Sequence, residues 1–342
     1  MFRKLVKWSK DHYSHLPWRV NRSVYGTLVS EIMLQQTTVG TVLNHFEKFI
    51  TKYPSIEALA KISEDQILID WKGLGYYRRA KNLLKSAKEI EEKYQGKIPL
   101  DYDSLISING IGPYTANAIL AMGADEKALC VDANLERVLA RFYGISVLKG
   151  PKLQKEIYHL FEKGKIATEL AMIGPRLYNE ALMDLGRSIC KARSASCEIC
   201  PLAQDCLALK SGSALSFPVD IEGESQSTKG IELHLLRLIV EKNGKYLVYK
   251  KTDKQWLAGQ YELPTFIIKT EDNELTQYPY FKKTDFFNLP SFKTSITKYK
   301  ISNYVLHADE SDLAILGLSI KNYEWKSETE NFSTACLKAL KF

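Results

Sequence analysis

The sequence predicts a mainly α-helical domain followed by a smaller α+β domain. Apolar residues recur at helical spacing from Tyr25 to Ile50 and again from Leu135 to about Leu207. A run rich in Ser and Gly then interrupts the helical pattern from Ser211 to Lys229. Beyond it, Asn243-Gly244 joins two β-rich segments as in a hairpin. The predicted domains are a helical domain over 1–210, a linker over 211–229 and an α+β domain over 230–342.

The composition is that of an ordinary globular protein. Of the 342 residues, 45% are hydrophobic and 25% are charged, and no apolar run has the length of a membrane span. The start of the chain lacks the apolar core of a signal peptide, so we expect a cytoplasmic protein that makes no membrane contact. Lys and Arg exceed Asp and Glu by six in residues 1–220 and by one in 221–342. An anionic partner is therefore expected to bind the first part, and the mild charge permits nucleic acid without requiring it.

Four of the six cysteines are crowded into one short stretch. Six, two and five residues separate consecutive members of the set, which comprises Cys190, Cys197, Cys200 and Cys206. In a cytosolic chain this crowding indicates metal binding rather than disulfides, and four thiolates can hold either zinc or an iron-sulfur cubane. Zinc sites of four cysteines usually consist of two CxxC pairs on separate knuckles. One pair flanked by two single cysteines therefore favours a [4Fe-4S] cluster in the loop 190–206.

A glycine hairpin lies between two apolar helical turns. Gly110 and Gly112 have no Cβ, so their backbone can take positive φ and approach another chain closely. Pro113 fits the first position of the following helix, whose outward N–H groups form a natural seat for a phosphate. Asp132 follows at the end of an apolar run and would then lie near a sugar-phosphate backbone. Alternatively, the glycines form only a helix-helix turn and Asp132 caps the helix that begins near Leu135.

Glu31 lies in a mostly apolar and neutral segment. A carboxylate that is partly removed from water favours its protonated form, which suits a general acid near neutral pH. The alternative is a surface glutamate on the polar side of a helix.

The stretch from Lys72 to Lys88 contains six basic residues and no acid. Basic side chains neutralise phosphates, and a tyrosine at a tight turn, such as Tyr76 after Gly75, can wedge between bases. A solvated helix face would explain the lysines equally well, but not two adjacent tyrosines beside glycines.

Taken together, these motifs resemble those of the helix-hairpin-helix DNA glycosylases, the endonuclease III superfamily. The motifs, in chain order, are LPWR, SEIMLQQT, GLGYYRRA, NGIGPYTA, VDAN, NEALMDLG and the cysteine loop. Within that superfamily, Glu31 followed by LQQT and the later WLAGQYELP resemble the MutY adenine glycosylases. Members of that family carry a Nudix-like C-terminal domain that reads 8-oxoguanine opposite the adenine. The resemblance thus implies a helical glycosylase domain with an iron-sulfur loop, followed by a Nudix-like domain.

The resemblance also implies roles for individual residues. Glu31 would protonate the flipped adenine and later help to activate water, and Asp132 would stabilise the cationic sugar. This agrees with the chemistry of N-glycosidic bonds, whose cleavage develops oxocarbenium character. Tyr114 and Asn134 match positions that line the catalytic site. The positions that match substrate contacts are Arg19, Trp18 and Glu180 near the adenine, Gln36 and Tyr76 in the duplex, and Gly110 and Gly112 in the hairpin.

Two positions refine the expected activity. Bifunctional relatives carry a lysine after the hairpin glycines, whereas this chain has Tyr114 there, which predicts a monofunctional enzyme. The tip that touches the damaged guanine usually reads Phe-Ser-His, but the matching stretch here contains Thr297 and Lys298. Damage recognition is therefore expected to be weaker or differently arranged. Glu262 is isolated from other acids, so pyrophosphate hydrolysis is not expected.

The sequence is compatible with three functions. The first is excision of adenine from double-stranded DNA that contains adenine:8-oxoguanine or adenine:guanine mispairs, by a monomer associated with the nucleoid. The second is a mismatch thymine glycosylase of the same superfamily. The third is a catalytically silent DNA-binding protein that uses the cluster as a structural or redox element.

Overall fold

The structure is a computed structural model that describes residues 2–219, 230–281, 288–315 and 318–342. These residues form two compact units. The first unit contains residues 2–61 and 82–219, and the second contains residues 62–81 with the described residues from 230 onward. The grouping of residues 62–81 with the C-terminal part was not predicted. Residues 220–229 of the predicted linker lie outside the described residues.

The part of the chain up to Lys210 is helical. Its helices are α1 (Phe2–Tyr13), α2 (Pro17–Val20), α3 (Val24–Leu34), α4 (Val39–Lys52), α5 (Ile56–Ala60), α6 (Glu64–Asp70), α7 (Arg78–Tyr94), α8 (Tyr102–Ser107), α9 (Pro113–Ala118), α10 (Ala133–Tyr143), α11 (Pro151–Glu162), α12 (Lys165–Ile173), α13 (Pro175–Ser188) and α14 (Leu207–Lys210). A π-helical turn, Ile119–Gly123, continues α9. The helix α6 and the first residues of α7 belong to the second unit.

Small polar residues define where several of these helices begin. The side chains of Ser23, Thr38, Ser55, Ser63 and Asp101 each accept a hydrogen bond from a backbone N–H in the first turn. These bonds satisfy N–H groups that have no partner within the helix.

The core of the first unit encloses α3 and packs α1, α10 and α13 together. Residues 26–33 of α3 are all buried, so this helix has no solvent-facing side over that stretch. A second apolar cluster joins Leu5, Leu139 and Leu182, each of which is fully buried. Phe2 packs on Tyr178, with ring centroids 5.0 Å apart. Burial of such residues is the main stabilising contribution to a helical domain.

The second unit contains two four-stranded sheets. Its strands are β1 (Ile231–Ile239), β2 (Glu241–Lys242), β3 (Lys245–Lys250), β4 (Tyr261–Glu262), β5 (Thr265–Thr270), β6 (Ser291–Ile296), β7 (Tyr299–His307) and β8 (Glu324–Lys326). The first sheet has the order β5-β1-β7-β6 and is mixed, because β1 and β7 are parallel while the other pairs are antiparallel. The second has the order β2-β3-β4, with β8 also pairing β3. The helices α15 (Glu310–Ile315) and α16 (Thr334–Ala339) complete the α+β architecture.

The hairpin predicted at Asn243-Gly244 is confirmed. The segments flanking Asn243-Gly244 pair antiparallel, with Lys242 opposite Lys245. Asn243 and Gly244 have φ values of 53° and 71°, which is the left-handed geometry that this tight turn requires. Among the described residues, no helix is both long and apolar enough to cross a membrane.

Candidate active site

Glu31 is a buried carboxyl at the end of α3. Glu31 is only 7% exposed, so the alternative interpretation, a surface glutamate on the polar side of a helix, is excluded. Burial raises the pKa of Glu31 to about 7, and the negative charge of Asp132 adds to that rise. A hydrogen bond from the Tyr114 hydroxyl, 2.6 Å from Oε2, acts in the opposite direction. Near neutral pH a substantial fraction of Glu31 therefore carries a proton that it can donate.

Tyr114 stands on the first turn of α9, directly after the hairpin. Burial raises the pKa of its hydroxyl, and the charges of Glu31 and Asp132 raise it further. The hydroxyl thus stays protonated and donates to Glu31. Its other close contact is the Met183 sulfur, at 4.0 Å.

Asp132 is the N-cap of α10, and its charge also acts on the Glu31 carboxyl. Its Oδ1 accepts from the backbone N–H groups of Asn134 and Leu135, at 2.9 and 2.8 Å. Its Oδ2 accepts from the Asn134 side-chain amide at 2.8 Å. The capping interpretation of Asp132 is therefore correct. It does not exclude the catalytic one, because the Asp132 charge raises the pKa values of both Glu31 and Tyr114.

Asn134 connects Asp132 to the cysteine loop. Its side-chain oxygen accepts from Arg137 Nη2 at 2.8 Å, and Arg137 Nε donates to the Cys190 carbonyl at 2.7 Å. Gly186 leaves room for Asn134, since a Cβ there would lie 2.8 Å from the Asn134 Cβ. The position of Asp132 is thus fixed both by its own helix and by the loop that begins at Cys190.

Arg19 and Glu180 belong to a network of buried charged side chains. Asp184 accepts from Arg19 Nη1 and Nη2, at 2.8 and 3.1 Å, and from the Ser9 hydroxyl at 2.6 Å. Glu180 accepts two hydrogen bonds from Arg22, at 2.5 and 3.0 Å. A cavity of about 440 Å³ opens beside this network; its lining includes Arg19, Arg22, Glu180 and Ser14. Trp18, next to Arg19, is buried against Phe46 with the ring centroids 5.5 Å apart.

The glycine hairpin is packed against α7. Gly110 has φ +88°, and a Cβ there would lie 2.9 Å from the Asn82 carbonyl and from the Ser86 hydroxyl. Glu89 Oε2 accepts from the backbone and side-chain N–H groups of Asn109, at 2.8 and 2.9 Å. With Lys93, these bonds lower the pKa of Glu89 to about 2. The positive φ predicted for the hairpin glycines is therefore confirmed for Gly110, whereas the close approach to another chain stays a prediction.

Gly112 does not use the freedom of a glycine backbone. Its φ is −92°, and a Cβ there would have no atom within 4 Å. The predicted positive φ was wrong for this residue, because Gly112 has the extended geometry of an N-cap. The predicted close approach to another chain stays a prediction. Pro113 begins α9, as predicted.

The four clustered cysteines lie in one loop and carry free thiols. Cys190, Cys200 and Cys206 pack against the core, and Arg141 Nη1 lies 3.2 Å from the Cys190 sulfur. Across the residues that the structure describes, no three His, Cys, Asp or Glu side chains are close enough together to hold one metal ion. The cysteines that bind a cubane each ligate a different iron atom, so they need not converge on one point.

The remaining predicted contacts lie on exposed turns. Gln36 follows α3 with φ +54°, and Tyr76 is 56% exposed with φ +46°. Thr297 and Lys298 form the two-residue turn between β6 and β7, and Thr297 has φ +48°. The Lys298 ammonium lies 3.2 Å from Asp272 Oδ2. Left-handed φ in a residue other than glycine is uncommon, and it is frequent at functional turns.

Several residues that build this site were not identified from the sequence. They are Glu89, Ser86, Arg22, Asp184, Arg137 and Arg141. Their sequence context carries only a weak signal, such as the Glu89 to Lys93 spacing of an ordinary helical ion pair. Each of them also contacts a partner 20 or more residues away, and no local pattern could have shown that contact.

Comparison with known proteins identifies the family of this chain. The family model described as "HhH-GPD superfamily base excision DNA repair protein" matches residues 29–163. An adenine DNA glycosylase of Buchnera aphidicola is 33% identical over 320 residues, which cover 90% of this chain and 85% of the relative. The chain belongs to the MutY-type adenine DNA glycosylases. It is therefore a DNA glycosylase of base excision repair with the helix-hairpin-helix fold, and its partner is DNA.

The thymine-specific branch of the superfamily matches a smaller part of this MutY-type chain. A thymine-DNA glycosylase of Aeropyrum pernix is 31% identical and covers 60% of this chain. The solved structure of a thermostable thymine-DNA glycosylase is 28% identical, with a TM-score of 0.52, and covers 61% of this chain and 94% of its own. The likeness to the Buchnera adenine glycosylase extends further, to 90% of the chain.

Proposed function

We propose that this protein hydrolyses the N-glycosidic bond of adenine mispaired with 8-oxoguanine or guanine, without cleaving the DNA strand. The observation that carries the proposal is the buried Glu31 carboxyl, held by Tyr114 and close enough to Asp132 to feel its charge. Two carboxyl groups in different protonation states are the arrangement that cleavage of a glycosidic bond requires.

The reaction divides between the two acids. Protonated Glu31 donates to a ring nitrogen of the extruded adenine, and the bond between sugar and base breaks with its electron pair going to the base. The Asp132 carboxylate stabilises the positive charge that develops on the sugar. Water then adds to the sugar carbon and loses its proton to the Glu31 carboxylate, which restores the acid.

The absence of strand cleavage follows from Tyr114. A bifunctional enzyme needs an amine that attacks the sugar and forms a Schiff base. The segment from Asn109 to Asn117 contains no lysine, and the Tyr114 hydroxyl stays protonated because burial raises its pKa. The hydroxyl serves as a hydrogen-bond donor to Glu31 and not as a nucleophile.

Arg19 and Glu180 are proposed to recognise the extruded base, together with Trp18, which adjoins Arg19 in the chain. Glu180 presents a carboxylate that can accept from an exocyclic amine, which adenine has and thymine lacks. Arg22 and Arg19 hold that carboxylate in place, at 2.5 and 3.6 Å. Selection of adenine over thymine would therefore depend on one fixed acceptor.

The loop 190–206 would hold a [4Fe-4S] cluster through Cys190, Cys197, Cys200 and Cys206. Four free thiols in one loop suit a cubane, and the Arg141 guanidinium beside the Cys190 sulfur would offset the negative charge of thiolate ligands. When bound, the cluster would order this loop and take no part in hydrolysis. The exposed Lys191 and Arg193 then become fixed cations for the DNA backbone.

The remaining turns are proposed to grip the duplex. The hairpin at Gly110 and Gly112 would seat a phosphate, while Gln36 and Tyr76 would enter the stack as the adenine leaves it. Extrusion costs a few kcal/mol and less in a mispair, which contributes to selectivity. The second unit would act as a Nudix-like domain whose Thr297 and Lys298 contact the opposite strand.

A single-turnover assay tests this function. Duplexes carry adenine opposite 8-oxoguanine, guanine or thymine, and a fourth carries thymine opposite guanine. We expect base release from the first two, with strand breaks appearing only after alkali treatment. Release of thymine and not adenine would establish the thymine-glycosylase alternative, and binding without any release would establish the silent one. Brown protein after anaerobic purification supports the cubane, whereas colourless protein containing zinc contradicts it.

A further inference from the structure

Hydrogen bonds from the nearby side chains of Trp71 and Arg79 stabilise the turn that carries Tyr76. The Trp71 indole N–H and an Arg79 N–H both donate to the Gly75 carbonyl at 3.1 Å. Arg79 also donates to the Leu74 carbonyl at 3.0 Å. The Arg79 guanidinium lies 5.6 Å from the ring centroids of both Trp71 and Tyr76, within the range of a cation-π contact. Arg79 is buried, so its contact holds the exposed Tyr76 ring against the buried part of the turn.

One ion pair and one hydrogen bond join the segment that carries this turn to the rest of the second unit. Lys250 Nζ, at the end of β3, contacts both carboxylate oxygens of Asp65 at 2.8 and 3.0 Å. Lys72 Nζ, two residues before Leu74, donates to the Glu330 carbonyl at 3.3 Å. Both contacts join residues 62–81 to residues beyond 230, and the compact second unit contains both parts.

Gly259 brings the two parts into close contact. Its φ is +86°, and a Cβ there would lie 3.0 Å from Lys81 Nζ, 3.3 Å from Leu68 Cδ1 and 3.4 Å from Glu64 Oε1. The loop can approach α6 this closely only because residue 259 has no side chain. Lys81 is also held by Glu64, at 2.7 Å. We call Asp65, Lys72, Lys250, Gly259 and Glu330 the seating surface.

We propose that the seating surface positions Tyr76 for insertion into DNA, so that the second unit controls base extrusion in addition to its proposed contact with the opposite strand. This inference rests on the proposed function, because it assumes a DNA duplex as the partner. Loosening the seating surface would weaken extrusion and leave the acid chemistry of Glu31 unchanged. The residues of the seating surface are positioning residues, since none of them needs to touch the base.

Reversing one ion pair tests the proposal. The variants of the full chain are Asp65→Lys, Lys250→Asp and the double variant that carries both changes. Extrusion is read as the fluorescence rise of a 2-aminopurine placed beside the mispaired adenine, before any base is released. Each single variant places like charges together and should extrude about fivefold less well at a given protein concentration. The double variant restores the attraction and should return to within about twofold of the unmodified protein.

Two reference variants make the result specific. Tyr76→Ala should abolish the fluorescence rise, which ties the signal to this side chain. Glu162→Lys makes the same charge change as Asp65→Lys at an exposed site on α11 and should extrude normally. Thermal unfolding of each variant shows that it is folded.

Three results would overturn the proposal. They are normal extrusion by both single variants, a double variant no better than the singles, and a fluorescence rise that survives Tyr76→Ala. The first two would not affect the proposed function, and the third would remove only the proposed entry of Tyr76 into the base stack. The proposed adenine excision itself fails if the unmodified protein releases no adenine.

Discussion

Each unit of this protein buries a glutamate, Glu31 in the first and Glu262 in the second, and the pKa values of the two carboxyl groups are shifted in opposite directions. Burial raises the pKa of Glu31, in the first unit, to about 7; the negative charges of Asp132 and Glu180 add to this rise, and the Tyr114 hydroxyl that donates to Glu31 opposes it. Glu262, in the second unit, lies 2.5 Å from Arg237 and 3.2 Å from Lys251, and these cations lower its pKa. Burial therefore does not by itself decide the charge of a carboxyl; the partners do.

This difference in pKa distinguishes Glu31, the proposed proton donor, from Glu262, whose carboxylate has a structural role. Glu262 is isolated from other acids, as the sequence suggested, but two buried cations and the Ser333 hydroxyl engage it. Glu31 has no cation in direct contact among the described residues, with Arg19 acting only at longer range. A proton on Glu31 is thus available for chemistry, whereas Glu262 remains ionised to balance its neighbours.

The largest effect is expected at the catalytic pair. Glu31→Gln removes the proton donor and Asp132→Asn removes the charge that stabilises the sugar cation. Either change should lower the single-turnover rate of adenine release by about 10³-fold or more, while duplex binding stays measurable by fluorescence anisotropy. Normal turnover by either variant would contradict the assigned roles.

The structural glutamate should show a large effect on stability and none on chemistry. Glu262→Gln leaves Arg237 and Lys251 without their counter-charge in a buried site, and the second unit should lose about 3–5 kcal/mol of unfolding free energy. Urea unfolding measures the loss. Glu310→Gln, which breaks an exposed pair with Lys242, is the matched control and should cost less than about 1 kcal/mol. Equal losses in the two variants would show that Glu262 is not a buried ion-pair centre.

Glu31→Gln should have the opposite effect on stability. In the unfolded chain this carboxyl ionises near its ordinary pKa of 4.5, whereas in the folded protein it resists ionisation up to about pH 7. The folded state therefore loses stability as pH rises between these values. At pH 8 the glutamine variant should be more stable by about 3 kcal/mol, and the gain should vanish near pH 4.5. A pH-independent difference in urea unfolding would refute this account.

Tyr114→Phe sharpens the comparison through pH dependence. The hydroxyl holds the pKa of Glu31 down, so its removal should move the alkaline limb of the rate profile to higher pH. The unmodified protein should lose activity as pH rises through about 7, because the fraction of protonated Glu31 falls. Single-turnover rates from pH 5 to 9 measure both midpoints. A midpoint that moves to lower pH would mean that the hydroxyl does not act on the ionised form.

The smallest effect is expected at the tip of the second unit. Asp272 lies beside the Lys298 ammonium and neutralises part of its charge. Asp272→Asn should free this cation for a phosphate, which should strengthen duplex binding about twofold and steepen its salt dependence by at most about one charge. Glu274→Gln, an exposed carboxylate two residues away, is the control. An unchanged salt slope would show that Lys298 does not contact the DNA backbone.

Local sequence patterns predicted a large part of this protein. The hairpin at Asn243-Gly244 and the position of Pro113 at the start of α9 depend on neighbours within a few residues, so they can be read from short segments. The family motifs located Glu31, Tyr114 and Asp132 for the same reason. Gly112 shows the limit, because its residue type allowed a geometry that the fold does not use.

Only the tertiary structure decided which groups act on one another. The partners of Glu31 are 83 residues away at Tyr114 and about 100 away at Asp132, and the hairpin depends on Glu89 of α7. The parallel pairing of β1 with β7 and the grouping of residues 62–81 with the C-terminal sheets were likewise invisible to local patterns. The sequence determined which side chains are available. Their protonation and positions depend on dielectric, charge and packing through space, and these exist only once distant segments have come together.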